Sequence, residues 1–476
     1  MTEECIAPRT LPIVAPPMPA GVLARATHAA AYGLKAVAEC LPEPLARPLV
    51  WVPYSLRLGG EYARSAAALR RPAEQRGVIE ARQLARFREV LNHAVEHVPF
   101  YRQHYRRHGF APGEVRTLAD IARVPIVTRV DLQDAPLELR CDPARAGRLV
   151  RTGGTTGQPL AFRLDRTSVA VEWAHMHHMW RSRGYRPGDL NLGLRGWRGR
   201  EGRALRFNPV HNEYAIAAGL APEQAVAAVL RLSERRPIRW IHGFPSLVAE
   251  FADALSRTEG RVAERFRRGL RGVLLCSEAP LPAYRARIRR ALGYNILSWY
   301  GHSEMAVLAQ EDGEGVYRAF PTYGLAEAVP DGGGHRLVAT SFHNRVHPFI
   351  RYDTGDRIAP MACDDGALRF RVDDGRMADF VMDRSGRALA LTSILFGRTH
   401  AALAEARHVQ VRDDGAGRIT LLVTPGPAGC HDAGALRAGF DFADLAIDVA
   451  VEVVAHPVRT PAGKIQLKIG SGNGRT

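Results

Sequence analysis

From about residue 120 onward, short apolar runs alternate with stretches of helical spacing. That alternation limits the chain to an α/β architecture in which mixed sheets are flanked by helices. Leu149-Val150 leads into a Gly/Thr-rich loop, and the periodicity after it predicts a helix over residues 167–183. Gly272 to Cys276 reads as a short buried strand, Pro282 to Leu292 as a helix, and Asn295 to Tyr300 as a strand. Upstream, residues 1–75 mix helix-favouring Ala, Leu and Arg with prolines and predict a helical arm. Ile79, Leu84, Phe87, Val90, Leu91, Ala94 and Val95 recur at helical spacing. Residues 78–107 therefore predict one amphipathic helix followed by a turn, with Val98-Pro99-Phe100 as the break. After about residue 376 the scale changes. Arg418 to Val423 and Ile447 to Val454 read as strands, with Asp432 to Phe442 as a helix between them. A chain of 476 residues exceeds one ordinary core, which predicts a large domain over 1–375 and a small α+β domain over 376–476.

Composition narrows the function classes. The most apolar region, Ala20 to Leu41, is interrupted by Arg25, Lys35 and Glu39, so no membrane span is expected. The start Met1-Thr2-Glu3-Glu4 has no basic segment and predicts no signal peptide, hence a cytoplasmic protein. Cys5, Cys40, Cys141, Cys276, Cys363 and Cys430 show no two-residue pairing, which predicts neither a zinc framework nor disulfides. The net charge of +16 is built almost wholly from Arg; only Lys35, Lys464 and Lys468 are lysines. Dispersed Arg predicts a solvated basic surface rather than a nucleic-acid interface. His175 and His178 share one helical face, but no acidic or thiolate partner is evident, so helix packing is expected there rather than metal.

Four segments carry chemistry. Thr152, Gly153, Gly154, Thr155, Thr156 and Gly157 form a loop whose backbone N–H groups and hydroxyls suit phosphate; a plain surface turn fits equally well. No Gly-Lys-[Ser/Thr] follows, so it is not a Walker loop. Tyr300-Gly301-His302-Ser303-Glu304 offers a ring for stacking, a hydroxyl for phosphate and a carboxylate for Mg²⁺, although a strand-end turn needs none of them. Arg351-Tyr352-Asp353-Thr354-Gly355-Asp356 ends in an acceptor that suits two ribose hydroxyls, or a simple cap. Gly463-Lys464 places one of the scarce lysines in an exposed-looking loop, with Lys468 close by.

In this order the four segments resemble the signature set of the adenylate-forming superfamily of acyl-CoA synthetases, peptide-synthetase adenylation domains and luciferases. The nearer resemblance is to its phenylacetate–CoA ligase-like branch, which includes proteins associated with capsular polysaccharide synthesis. It rests on Asn92 to Tyr101, Leu118 to Leu132, Gly243-Phe244-Pro245-Ser246 and Ser277-Glu278, and covers roughly residues 50–470. Three positions depart from the pattern: Gly153 stands where Ser is usual, Gln158 where Lys is frequent, and Ser303 where Thr is usual. The first two weaken the expected grip on pyrophosphate.

The resemblance implies ATP-dependent activation of a carboxylic acid as acyl-adenylate, then transfer to a thiol, with CoA favoured. Transfer to an amine, or a binding protein without catalysis on the same fold, stay open. It implies that residues 152–157 hold the β/γ-phosphates and that Ser303 and Glu304 act at the phosphates, Glu304 with Mg²⁺. Tyr300 and Gly301 would pack on adenine, with Ser277 and Glu278 along that side. Asp356, helped by Arg376, would hold the ribose, and Lys464 would bridge carboxylate and α-phosphate from a mobile C-terminal lid. Asp379 would be the hinge. Trp240, His242, Gly243 and Phe244 fall where the acid pocket is expected, and core packing would serve them as well. The partners implied are a small carboxylic acid and an acyl acceptor; nothing indicates an oligomeric state.

Overall fold

The computed structural model describes residues 41–71, 74–151, 160–197, 203–217, 220–277, 280, 282–332, 334–362, 365–372, 380–396, 398, 400–425, 429–456, 458 and 467–469. Three helices open it: α1 (Glu43–Ala46), α2 (Tyr54–Arg57) and α3 (Gly60–Ala68). Helix α4 (Arg76–His97) buries Phe87, Val90, Leu91 and Ala94, the stripe the spacing predicts. The stretch after the break is a second helix, α5 (Pro99–Arg107), not a turn. Proline ends α4 because it has no N–H to give, and the same lack is harmless at the first position of a new helix. Helix α6 (Arg129–Asp134) starts from a reciprocal cap: Asp131 N donates to Thr128 Oγ1 at 3.2 Å, and Thr128 N to Asp131 Oδ2 at 2.8 Å.

Strands β1 (Gly147–Arg151) and β2 (Ala161–Asp165) pair antiparallel on either side of the 152–159 segment. Helix α7 (Arg166–Ser182) follows at once, capped by Asp165 Oδ1, which accepts from Thr167 N at 3.0 Å. The next stretch is the α/β unit the alternation predicts. Its elements are β3 (Leu190–Trp197), β4 (Leu205–Asn208), β5 (Glu213–Ala217), α8 (Pro222–Ser233), β6 (Ile238–Gly243), α9 (Pro245–Ser256), α10 (Arg261–Gly269), β7 (Gly272–Leu275), α11 (Pro282–Leu292) and β8 (Ile296–Gly301). Six further strands are antiparallel: β9 (Leu308–Gly313), β10 (Val316–Ala319), β11 (Gly324–Pro330), β12 (His335–Ser341), β13 (Tyr352–Met361) and β14 (Arg369–Val372). Both sets join in one twelve-stranded sheet, ordered β11-β12-β13-β14-β10-β9-β8-β7-β6-β3-β5-β4.

The parallel strands have two unlike faces. One packs Leu192, Ile216, Ile241, Val273 and Leu275 against α8 to α11. The other packs Trp240, Leu274, Leu297 and Trp299 against Met176, Met179 and Trp180 of α7, and it also buries Asp189, Asn191, Glu213 and His242. Buried polar groups of this kind need partners. Asp189 has them: Trp240 Nε1 donates to its Oδ2 at 3.0 Å and Arg271 Nη1 to its Oδ1 at 2.8 Å.

A separate sheet follows residue 380. Its region holds β15 (Phe380–Met382), β16 (Ala388–Ala390), α12 (Leu391–Phe396), β17 (Ala406–Gly415), β18 (Arg418–Pro425), α13 (Ala433–Ala438), β19 (Asp448–Val453) and β20 (Lys468–Ile469). The sheet order is β19-β18-β17-β20. The unbroken apolar run of β18 suits a central strand buried on both faces, whereas β19 alternates as an edge strand does. Helix α13 is shorter than the stretch predicted from Asp432 to Phe442. It stops at Gly439, where a Cβ would meet Ala402 at 2.9 Å. The predicted joint at residues 375–379 lies outside the described residues.

Candidate active site at the end of β8

Strand β8 pairs parallel with β7 on one edge and antiparallel with β9 on the other, so the sheet changes character there. Its last residues are Tyr300 and Gly301. The chain then turns tightly, with Met305 N donating to His302 O at 3.0 Å and Met305 at φ 52°. The turn drives Glu304 inward while Gly301 and Ser303 stay exposed. Glu304 Oε1 accepts from Tyr352 Oη at 3.2 Å, and Oε2 from His302 Nδ1 at 3.1 Å. Burial alone pushes the Glu304 carboxyl up. The hydrogen bond and charge of His302, with the charge of Arg129, outweigh burial and bring it down to about 2.

Tyr352 and Asp356 come from the segment that starts β13. Arg351 sits at φ 43°, a costly conformation for a residue with a Cβ. Its hydrogen bonds hold it there. Arg351 N donates to Thr340 Oγ1 at 2.9 Å, Nη1 to Ala122 O at 2.8 Å and Val124 O at 2.6 Å, and Nε to both Glu327 oxygens at 3.1 Å. Five residues on from Arg351, buried Asp356 accepts from Tyr300 Oη at 2.5 Å through Oδ2. The two motif segments therefore meet, one buried carboxylate in each. A carboxylate has about four acceptor sites, so Glu304, with two donors on it, retains room for a cation.

No family model matches the chain. Over 321 residues it is 26% identical to a phenylacetate-coenzyme A ligase of Pseudomonas putida, which covers 61% of this chain and 69% of that one. The phenylacetate-coenzyme A ligase of Thermus thermophilus is also 26% identical, over 338 residues, covering 64% and 72%. Among solved structures, 2-hydroxyisobutyryl-CoA ligase in complex with 2-HIB-AMP and CoA superposes with a TM-score of 0.54 at 22% identity, over 82% of this chain and 89% of that one. The chain is thus similar to phenylacetate-coenzyme A ligases over about three fifths of its length, and it shares its fold with a solved CoA ligase.

Several residues singled out by the phenylacetate–CoA ligase-like resemblance, namely Thr152 to Gly157, Glu278, Arg376, Asp379 and Lys464, lie outside the described residues. Ser277 is exposed and sits at φ 65° just past β7. Trp240 is fully enclosed with its indole N–H on Asp189, the packing role rather than an open wall. Phe244 N donates to Leu194 O at 2.9 Å and starts α9, and a Cβ on Gly243 would meet Leu194 O at 2.6 Å. His242 is buried beside Glu213, Nδ1 to Oε2 at a long 3.4 Å, and Glu213 pairs with Arg195. Burial and the charge of Arg195 push His242 down to about 4. Burial works to raise the Glu213 carboxyl, but Arg195 and His242 hold it well below the usual range. These three side chains lie on β3, β5 and β6, where strand order reverses about β3, the usual place for a ligand crevice in an open α/β sheet.

His175 Nδ1 donates to Val171 O at 2.8 Å and its Nε2 accepts from Thr322 Oγ1 at 2.9 Å, so neither nitrogen is left for a metal. Among the described residues no three His, Cys, Asp or Glu side chains could hold a metal ion together. Glu304 fits magnesium in another way: it is ionised, and a hard cation that takes one protein carboxylate completes its shell with phosphate oxygens and water. Among the described residues no helix is long and apolar enough to cross a membrane.

Two residues of this site and one carboxyl on α7 were not singled out from the sequence. His302 and Tyr352 sit inside the motif segments yet act on Glu304 from either side. The third, Glu172, is the sole acidic residue of α7, and its Oε2 accepts from Tyr323 Oη at 3.0 Å. A lone acid on a helix otherwise bearing Val171, Ala174, Met176 and Met179 was the available signal.

Proposed function

We propose that the chain joins a carboxylic acid to AMP with release of pyrophosphate and then passes the acyl group to CoA. The observation that carries this reading is the junction of the two motif segments, Tyr300 Oη on Asp356 and Tyr352 Oη on Glu304. It sets an aromatic ring, a hydroxyl-acceptor carboxylate and an ionised carboxylate side by side, which is the set needed for base, ribose and metal-bound phosphate. The fold shared with 2-hydroxyisobutyryl-CoA ligase supports it.

In this reading the substrate carboxylate attacks the α-phosphorus of ATP and the bond to the β-phosphate oxygen breaks. Tyr300 stacks on adenine, and Asp356 accepts from the ribose hydroxyls with Arg376 beside it. The backbone of residues 152–157 and Ser303 hold the phosphates, and Glu304 anchors Mg²⁺. Magnesium supplies neutralisation of phosphate charge. Lys464 orients the carboxylate against the α-phosphate and stabilises the charge that develops there. The second half-reaction transfers the acyl group from phosphate to the CoA thiol after the small domain swings about Asp379.

The test is carboxylate-dependent ATP–pyrophosphate exchange across aryl, fatty and amino acids, followed by a comparison of CoA with amines as acceptors. Exchange with one acid class is expected, falling about 100- to 1000-fold in Lys464→Ala, the usual scale for one oxyanion donor. A folded protein that neither binds ATP nor exchanges pyrophosphate overturns the reading.

A further inference from the structure

Arg351 holds more than its own conformation. At φ 43° its backbone lies in the left-handed region, which glycine enters freely and a residue with a Cβ does not. Glycine is absent because the side chain is used. That side chain is buried and reaches two other elements. Nη1 donates to Ala122 O at 2.8 Å and to Val124 O at 2.6 Å, at the end of the 3-10 turn Ala119–Arg123. Nε and Nη2 face the Glu327 carboxylate on β11, Nη2 at 2.9 Å from Oε1. The main chain is pinned as well: Arg351 N donates to Thr340 Oγ1 on β12 at 2.9 Å, and Arg351 O accepts from Val127 N at 3.0 Å. One residue thus ties the start of β13 to β11, to β12 and to the 122–127 segment.

The segment after Arg351 is shaped to aim a side chain. Asp353 N donates to Val127 O at 2.9 Å, which closes a parallel bridge between Val127 and Tyr352. Val338 pairs with Asp353 and Arg336 with Arg357, so Thr354, Gly355 and Asp356 stand opposite Leu337 alone. That is a bulge, which turns a side chain out of the strand's alternation. Its shape is set locally. Gly355 sits at φ 75° and its N donates to Asp353 Oδ1 at 2.8 Å; Thr354 Oγ1 donates to Leu337 O at 2.9 Å. Asp356 N in turn donates to Thr354 Oγ1 at 3.2 Å. These bonds fix the bulge against β12 only. Arg351, five residues before Asp356, joins the same strand to β11 and to the 122–127 segment.

A buried ion pair is a weak source of stability, since desolvation offsets most of its attraction, and the strained backbone adds a further cost. What the arrangement secures is geometry. Resting on the ligase reading, in which Asp356 accepts from the ribose hydroxyls, we infer that Arg351 is a positioning residue for the nucleotide. It fixes the start of β13 so that Asp356 meets both Tyr300 and the ribose, and it thereby sets the preference for ribose over deoxyribose. Misplacing a group by about 1 Å can cost on the order of 100-fold, so an anchor this rigid has a measurable consequence.

The experiment measures calorimetric binding of AMP, 2′-deoxy-AMP and 3′-deoxy-AMP, beside ATP–pyrophosphate exchange with ATP and its two deoxy analogues. The intact chain is compared with Asp356→Asn, with Arg351→Lys, and with the double variant Arg351→Gly, Glu327→Gln. The double variant relieves the backbone and strands no buried charge. Arg351→Lys keeps the charge beside Glu327 and lacks the fork that spans two carbonyls. The intact chain should prefer AMP to each deoxy form by about tenfold, the scale of one hydrogen bond to a charged group. Asp356→Asn should lose most of that preference. The double variant should lose it too, to about twofold or less, with KM raised for ATP and unchanged for the carboxylic acid. Arg351→Lys should move the same way by a smaller factor, and it decides the matter if the double variant does not fold. A folded variant at Arg351 that keeps the full preference overturns this inference, as does one that weakens AMP and deoxy-AMP equally. An intact chain that binds AMP and deoxy-AMP alike overturns it as well. Preference for AMP that depends on Arg351, without exchange on any acid, sinks the ligase reading and leaves the ribose anchor standing.

Discussion

Glu304 and Glu172 are both carboxyls set deep in the protein, and their surroundings drive them in opposite directions. Glu304 receives donors on both oxygens and the charges of His302 and Arg129, and is held at about 2. Glu172 receives one phenol, and burial raises it to about 7. Desolvation penalises both. The number of donors and charges set against it decides the outcome. A carboxylate that must stay ionised to hold a cation needs its own scaffold.

The sharpest way to break this contrast is Glu304→Gln, which keeps the shape and removes the charge. ATP–pyrophosphate exchange should fall about 100- to 1000-fold, the scale seen when one charge-stabilising group leaves an active site. Because the folded-state value is depressed, the Glu304 carboxylate contributes stability above the ordinary carboxylate value of about 4.3, and that contribution is lost as pH falls toward 2. Thermal melts of Glu304→Gln and its parent should therefore converge at the acid end. A loss of exchange below tenfold would mean that the ionised carboxylate is dispensable.

The sequence carried the fold better than the site. Periodicity placed α4, α7, α11, β7, β8 and β18 within a residue or two, because each buries one face or two faces of regular spacing. It missed that Pro99 starts a helix, since proline looks the same as a stop or as a first residue. The motif segments at 300–304 and 351–356 were separately visible. Their meeting at one nucleotide was implied only by the resemblance and not by the spacing, because Tyr300 and Asp356 are 56 residues apart and strand order brings them together. Trp240 looked like a pocket wall because an aromatic near a ligand segment is ambiguous. Its indole N–H on Asp189, far away in sequence, marks it as packing. Glu172 stayed hidden for the same reason, since its partner Tyr323 lies 151 residues on.

Glu172→Gln tests the other half of the contrast without any substrate. A carboxyl raised to about 7 destabilises the fold once the unfolded chain can ionise it, so the cost begins near pH 4.3 and is complete above about 7. Removing the ionisable group should raise the melting temperature at pH 8, by the equivalent of about 1–3 kcal/mol, and by less at pH 5. Melts at the two pH values read the difference directly. An equal shift at both would mean that burial does not raise the Glu172 carboxyl.

Tyr352→Phe gives the smallest effect and separates the two carboxyls most cleanly. The change removes one hydroxyl from Glu304 Oε1, while the ring keeps its buried place edge-on to Phe349 at 5.0 Å. One hydrogen bond to a charged group is worth about 1.5 kcal/mol at the low end, so exchange should fall about tenfold. The fall should be the same for every acid, because Tyr352 acts on the phosphate side of His302. An acid-dependent fall would show that the Tyr352 hydroxyl also acts on the acyl group, and its assignment to the phosphate side would have to be redrawn.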